Sequence, residues 1–209
     1  MTTYQKAFRL EGYNKEFNQG KSILEINLKN ISKNYKILSD LSNPSETGAV
    51  VKANAYGCGI EHVGKLLSNI GCEFFFVAKL EEGIELRKHI SYSKKIAIFD
   101  GYLEPNHPLW KEYNLIPVCN TVDQAKQASK NNIIFMLHID TGMNRLGLSI
   151  AEANDLLLTK SKLNHKNLVL ILSHFACSDN KLSKLNSIQI REFNKFNYYF
   201  PRIKRSISN

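Results

Sequence analysis

The stretch TGAVVKANAYGCG, residues 47–59, poses the question on which the fold turns. The run GAVVKA, residues 48–53, reads as a short apolar strand whose apolar part ends on Lys52, and small residues, a tyrosine and two glycines follow at once. An ammonium at the mouth of a buried strand is costly to desolvate, so a lysine there asks for a reason. Read from the residues alone, Lys52 is either a solvated rim residue or an amine held partly dry, a good nucleophile toward an aldehyde. Gly57 and Gly59 let the backbone approach a ligand closely. Tyr56 can return its hydroxyl over the rim toward a bound anion.

Working outward, the same pattern repeats. Apolar runs recur at FFFVAK (74–79), KIAIFD (95–100), LIPVC (115–119), IIFMLHID (133–140), LVLILSHF (168–175) and IKRSIS (203–208). Amphipathic stretches between them predict helices, and the intervals of about 20 to 35 residues suit βα units. Continuous apolar strands alternating with helices predict a parallel sheet under helical cover. That leaves a doubly wound sheet or an eight-stranded barrel, and the polar residues decide. Lys52, Asp100, Asp140 and His174 each fall at the carboxyl end of a different run, the habit of a (β/α)8 barrel. A doubly wound sheet gathers its ligand at one switch point with a Gly-rich phosphate turn, and no GxGxxG or GxxxxGK[ST] occurs. The predicted fold is therefore α/β, a TIM-barrel-like (β/α)8 domain over residues 21–209 with seven of its eight strands present. Residues 1–20 lack periodicity and read as a loose leader. No Pro/Gly/Ser linker divides the rest.

Composition narrows the function. The chain has 209 residues, 43% hydrophobic, with a net charge of +9. The basic residues are spread along its length without a zinc-finger or RNA-recognition signature, so a solvated lysine-rich surface is expected and no nucleic-acid partner. No apolar run is long enough to span a bilayer, and residues 1–19 do not read as a signal peptide. The expected compartment is the cytoplasm. Cys58, Cys72, Cys119 and Cys177 form no CxxC pair, which predicts reduced thiols and no metal site.

Three colinear segments carry a resemblance. VVKANAYGCG (50–59), HIDTGMNRLG (138–147) and SHFACSD (173–179) resemble motifs of the alanine racemases, fold type III enzymes that use pyridoxal 5′-phosphate. FVAKLEEGIELR (76–87) and EINLKNISKNY (25–35) match as well, so the likeness runs from about residue 22 to the end. It implies a PLP-dependent interconversion of L- and D-alanine, supplying D-alanine for peptidoglycan. It assigns Lys52 to the amine that holds the cofactor and acts as base on one face of the substrate. It assigns Tyr56 to the cofactor phosphate, and Arg145 to the cofactor's phenolic oxygen beside the substrate carboxylate. His174 is matched to the pyridine ring and Asn209 to the start of the phosphate loop. From the residues alone, His174 is also readable as a satisfied core histidine.

Departures accompany the likeness. Many members carry a carbamylated lysine where this chain has His138, and that group orients the arginine. Asn144 stands in place of a common glycine and Cys58 in place of a common histidine. The resemblance further implies a second, β-rich domain that supplies a tyrosine to the partner subunit of a homodimer, as base on the opposite face. None of the nine tyrosines here matches that motif, so the chain is expected to be the N-terminal part and inactive alone. A PLP-binding barrel without racemase activity, and a racemase of another amino acid, are the rival readings.

Overall fold

The computed structural model describes residues 24–105, 107–158, 165–199 and 201–208. The expected leader (1–20) and Asn209 lie outside them. Seven strands form one sheet: β1 (Ala49–Val50), β2 (Phe74–Val77), β3 (Lys95–Ile98), β4 (Leu115–Cys119), β5 (Phe135–His138), β6 (Leu168–His174) and β7 (Lys204–Ser208). They pair in sequence order, each with its neighbour and all in parallel. Helices alternate with them: α1 (Leu28–Ser42) before β1, then α2 (Lys52–Tyr56), a single turn treated below, and α3 (Ile60–Asn69). These are followed by α4 (Leu80–Arg87), α5 (Leu109–Glu112), α6 (Val122–Lys130), α7 (Ile150–Leu158), α8 (Lys184–Asn194) and α9 (Phe196–Tyr199). This is the curled βα architecture that the alternation predicts.

Strands β2 to β6 are largely apolar on both faces because both faces are covered, while β1 and β7, at the open edges, are more exposed. One side of the sheet packs against the helices through Phe75, Val77, Ile96, Ile98, Cys119, Phe135, Leu137 and Ile171. The other is a separate inner layer of Phe74, Ala97, Ile116, Val118, Met136, Leu170 and Leu172, capped by Phe76 stacked on Phe99 with ring centroids 5.4 Å apart. Odd and even positions thus serve different cores, as the strand period of two requires. Helix starts follow local chemistry: the Asn27 side chain accepts from the Asn30 amide at 3.1 Å, and Thr121 from Gln124 at 3.2 Å.

The first strand differs from expectation. Residues 48–53 read as a buried strand, yet β1 is two residues long and Val50 is 43% exposed. Among the described residues β1 has one strand neighbour, β2, and the chain leaves the sheet at Lys52. The sheet is open between β1 and β7 among these residues. An ion pair of Lys204 with Glu46 reaches across that seam, beside a cavity of about 310 Å³ lined by Gly48, Phe74, Phe76, Leu170 and Ser206. This cavity lies at the amino ends of the strands, opposite the rim that carries Lys52. No helix among the described residues is long and apolar enough to cross a membrane.

Candidate active site

Lys52 leaves β1 through a left-handed turn. Ala53, Asn54, Ala55 and Tyr56 all have positive φ, at 51°, 54°, 54° and 54°, and Gly57 follows at 84°. A left-handed conformation costs roughly 1–2 kcal/mol per non-glycine residue, so four in a row persist only where the surroundings enforce them. The enforcement is visible. Val51 N–H still donates to the Phe76 carbonyl at 2.8 Å, the last ladder bond of β1. Within the turn, Gly57 N–H donates to Ala53 O at 3.0 Å and Gly59 N–H to Asn54 O at 2.9 Å. Asn54 Oδ1 accepts from Ile60 N–H at 2.8 Å, tying the turn to the start of α3. Glu82 accepts the Ala53 amide at 2.6 Å. The Lys52 side chain is half-buried, with its Nζ 5.9 Å from the Tyr56 ring centroid. Tyr56 itself is 64% exposed.

Arg145 sits on the loop that follows β5. Asp140 organises this loop by accepting three amides, from Gly142 and Met143 at 2.9 Å and Asn144 at 3.1 Å. The loop closes where Leu148 N–H donates to His138 O at 2.9 Å and Asp140 N–H to Leu148 O at 2.8 Å. Gly147 makes that closure possible. Its φ is +105°, and a Cβ there would stand 2.9 Å from Asp140 N and 3.1 Å from the His138 ring. Arg145 is exposed on this loop. Asp100, the remaining polar strand end singled out above, lies in the turn after β3.

Two histidines stand at the carboxyl ends of neighbouring strands, both two residues above inner-layer side chains, Met136 and Leu172. His138 is 8% exposed. Asn120 Nδ2 donates to Phe99 O at 2.7 Å, so the Oδ1 of the same amide faces His138 Nδ1 at 2.9 Å. Nδ1 therefore carries the ring proton and Nε2 is left as an acceptor. Burial pushes His138 down to about 4; the negative charge of Asp140 opposes this, while His174 and Arg145 add to it. His174 is lowered too, first by burial and then by the positive charges of Arg145 and Lys52. The structure thus brings both Lys52 and Arg145 within electrostatic reach of His174, with Tyr56 beside Lys52.

Five contributing residues escaped the sequence reading. Asn120 ends the β4 run in the same way that His174 ends β6, a signal that was present. Gln189 is fully buried on α8, where it donates to His174 O at 2.9 Å and Thr141 Oγ1 at 3.2 Å and accepts from Ala176 N–H at 3.0 Å. Thr141 and Ser173 share a hydroxyl contact at 2.7 Å. Together these bonds join the Arg145 loop to the end of β6. Gln189 stands four residues before buried Phe193, a polar residue on an apolar helix face. Glu82 gave no such sign.

A curled parallel sheet with polar side chains gathered on the carboxyl rim defines a TIM-barrel-like α/β protein of the kind that binds small molecules there. The profile described as "Alanine racemase, N-terminal domain" matches residues 26–209. The chain belongs to the alanine racemase family. It is 38% identical over 192 residues to an alanine racemase of Rickettsia canadensis (strain McKiel), covering 89% of this chain and 54% of that protein. The alanine racemase of Rickettsia prowazekii (strain Madrid E) is also 38% identical, with 48% of its length covered. Among solved structures, the alanine racemase of Bartonella henselae with covalently bound pyridoxal phosphate aligns with a TM-score of 0.79 at 29% identity, over 87% of this chain and 55% of that one. The alanine racemase of Acinetobacter baumannii aligns at 0.76 and 25% identity, over 87% and 55%. The chain spans about half the length of the relatives it matches.

Proposed function

We propose that this chain carries the cofactor-binding half of a PLP-dependent racemase acting on alanine, with Lys52 as the reactive amine. The observation that supports it is the convergence of Lys52, Arg145 and His174 on one rim, each within a segment that resembles the family's motifs. The donor set suits pyridoxal 5′-phosphate. Lys52 has no carboxylate partner among the described residues, so its amine is free for an aldehyde carbon. Burial and the charges of Arg145 and Lys52 lower the pKa of His174 and favour its neutral form, and its ring offers a flat face to a pyridine ring. Tyr56 is 64% exposed and free to meet a phosphate, to which the family likeness also assigns Asn209.

The cofactor, when bound, supplies an electron sink that makes the Cα–H bond of an amino acid acidic. Lys52 takes or returns the proton at Cα on one face. Arg145, planar and permanently charged, receives the substrate carboxylate and the phenolic oxygen of the cofactor. Racemisation needs a proton donor on each face, and Lys52 provides one of them. The family likeness extends the proposal to a homodimer, a cytoplasmic setting and the supply of D-alanine for peptidoglycan.

The test is chemical. Protein incubated with pyridoxal phosphate and reduced with borohydride should carry a pyridoxyl group on the Lys52 peptide, seen by mass spectrometry. Lys52→Ala should abolish that adduct. Absence of the adduct on Lys52 in the unsubstituted protein refutes the reading.

A further inference from the structure

Lys52 is held less firmly by the sheet than a barrel-strand lysine would be. β1 contributes two residues, and its last ladder bond is made by Val51. Beyond that bond the chain enters four left-handed residues, and Ala53 N–H, the first amide of the turn, has no carbonyl of its own to meet. It donates to Glu82 Oε1 at 2.6 Å. The other oxygen of the same carboxylate accepts Ala78 N–H at 2.8 Å and Lys79 N–H at 3.2 Å. One side chain therefore gathers three backbone amides: two where β2 passes into α4, and one on the peptide that joins Lys52 to its turn.

We infer that Glu82 is the positioning residue of Lys52, its carboxylate setting the peptide plane at residues 52–53 and so the direction in which the lysine side chain leaves the rim. This rests on the proposal that Lys52 captures the cofactor. A helix-capping role accounts for the Ala78 and Lys79 amides. It does not account for Ala53, 29 residues away in sequence. A neutral amide in place of the carboxylate cannot serve both ends, because one of its two atoms is a donor facing donors. Glu82→Gln therefore keeps the cap or the Lys52 turn, and the cap, local in sequence and offering two amides to the turn's one, is the one it keeps.

Two measurements on the full chain test this. The first is the rate at which pyridoxal phosphate becomes borohydride-trappable on Lys52, read against adducts on exposed Lys65 in the same digest. Glu82→Gln should slow the Lys52 reaction about tenfold or more, as a displaced reacting group does, and leave Lys65 unchanged. Glu82→Asp, one methylene shorter, should likewise keep the cap and leave the rate slow. The second is backbone hydrogen exchange, which needs no cofactor. The Ala53 amide and the peptide around it should lose protection in Glu82→Gln while β2 to β6 keep theirs. If wild-type protein traps no cofactor on Lys52, the proposed function falls and the exchange result alone judges Glu82. Unchanged Ala53 protection overturns the inference. So does a wild-type trapping rate in Glu82→Gln, or a loss of protection spread over the whole sheet, which marks an ordinary structural cap.

Discussion

Acid should weaken this fold through His138 more than through any exposed histidine. The ring is 8% exposed and its Nδ1–H is committed to Asn120. Its folded pKa lies at about 4 against an ordinary 6.5. Above pH 6.5 the ring is neutral whether the chain is folded or not, and titration adds nothing. Below it the unfolded chain takes up a proton that the folded chain refuses, so stability falls as the pH drops toward 4. The interval from 6.5 to about 4 corresponds to about 3.4 kcal/mol, of which about 2.5 kcal/mol is spent by pH 4.5. Asp140 works against this loss, while Arg145 and His174 work with it. His174 shifts in the same direction, so the wild-type curve alone does not isolate His138. The comparison is with His138→Gln, whose amide can still donate to Asn120 Oδ1 and does not titrate. Urea unfolding of both proteins at pH 7.5 and pH 4.5, in about 0.15 M salt to hold screening constant, gives the difference of differences. The wild type should lose about 2–3 kcal/mol more than the variant on acidification. Equal losses in the two proteins would refute the account of a buried, neutral imidazole.

Two further substitutions probe the framework. Arg87, buried beneath the loops that precede β3 and β4, donates to the carbonyls of Tyr113, Ser91, Lys94 and Asn114 at 2.6–3.1 Å and lies 4.9 Å from the Tyr92 ring. Arg87→Met leaves these carbonyls without their donor and should cost on the order of 3 kcal/mol in urea unfolding at neutral pH; a cost below about 1 kcal/mol would mean that water replaces the guanidinium. Gln189→Leu keeps the buried volume but removes the bonds to His174 O, Thr141 and Ala176. It should cost about 2 kcal/mol and slow cofactor trapping on Lys52, since it loosens the end of β6 and the Arg145 loop together. A stability loss with wild-type trapping would separate the two effects and remove Gln189 from the site.

Much of this was legible because strand physics repeats. Each apolar run produced a strand, and VDQAKQASK produced a helix over Val122–Lys130 with Thr121 at its cap. The polar residues that interrupt the runs fell at the carboxyl rim, since a charged or imidazole side chain is tolerated where a buried strand meets water. The left-handed turn was not legible. Propensity disfavours positive φ at alanine and tyrosine, and the conformation is enforced by partners distant in sequence: Phe76 through the last ladder bond and Glu82 through its carboxylate. Gly57 and Gly59 announced an unusual backbone, but the strain lies mainly on the residues before them. The brevity of β1 was hidden for a related reason. Val50 and Val51 look alike in sequence, yet Val51 is buried in the core beside the helices while Val50 is 43% exposed.

That asymmetry bears on how the rim works. His138 and His174 rise from strands paired along their length, His138 opposite Leu172 and His174 opposite Ser208. Below them lie the buried side chains of Met136, Leu170 and Leu172, and burial is the main cause that lowers the pKa of both imidazoles. Lys52 rises from the least supported strand and is directed by a carboxylate on the next βα unit. The rim therefore combines ladder-bound imidazoles on one side with an amine whose aim depends on a strained turn on the other. On the function proposed above, Lys52 must reach a substrate carbon, release it and return, which needs freedom that a ladder-bound residue lacks, and the two-residue strand with its Glu82 tether would supply that freedom without surrendering direction.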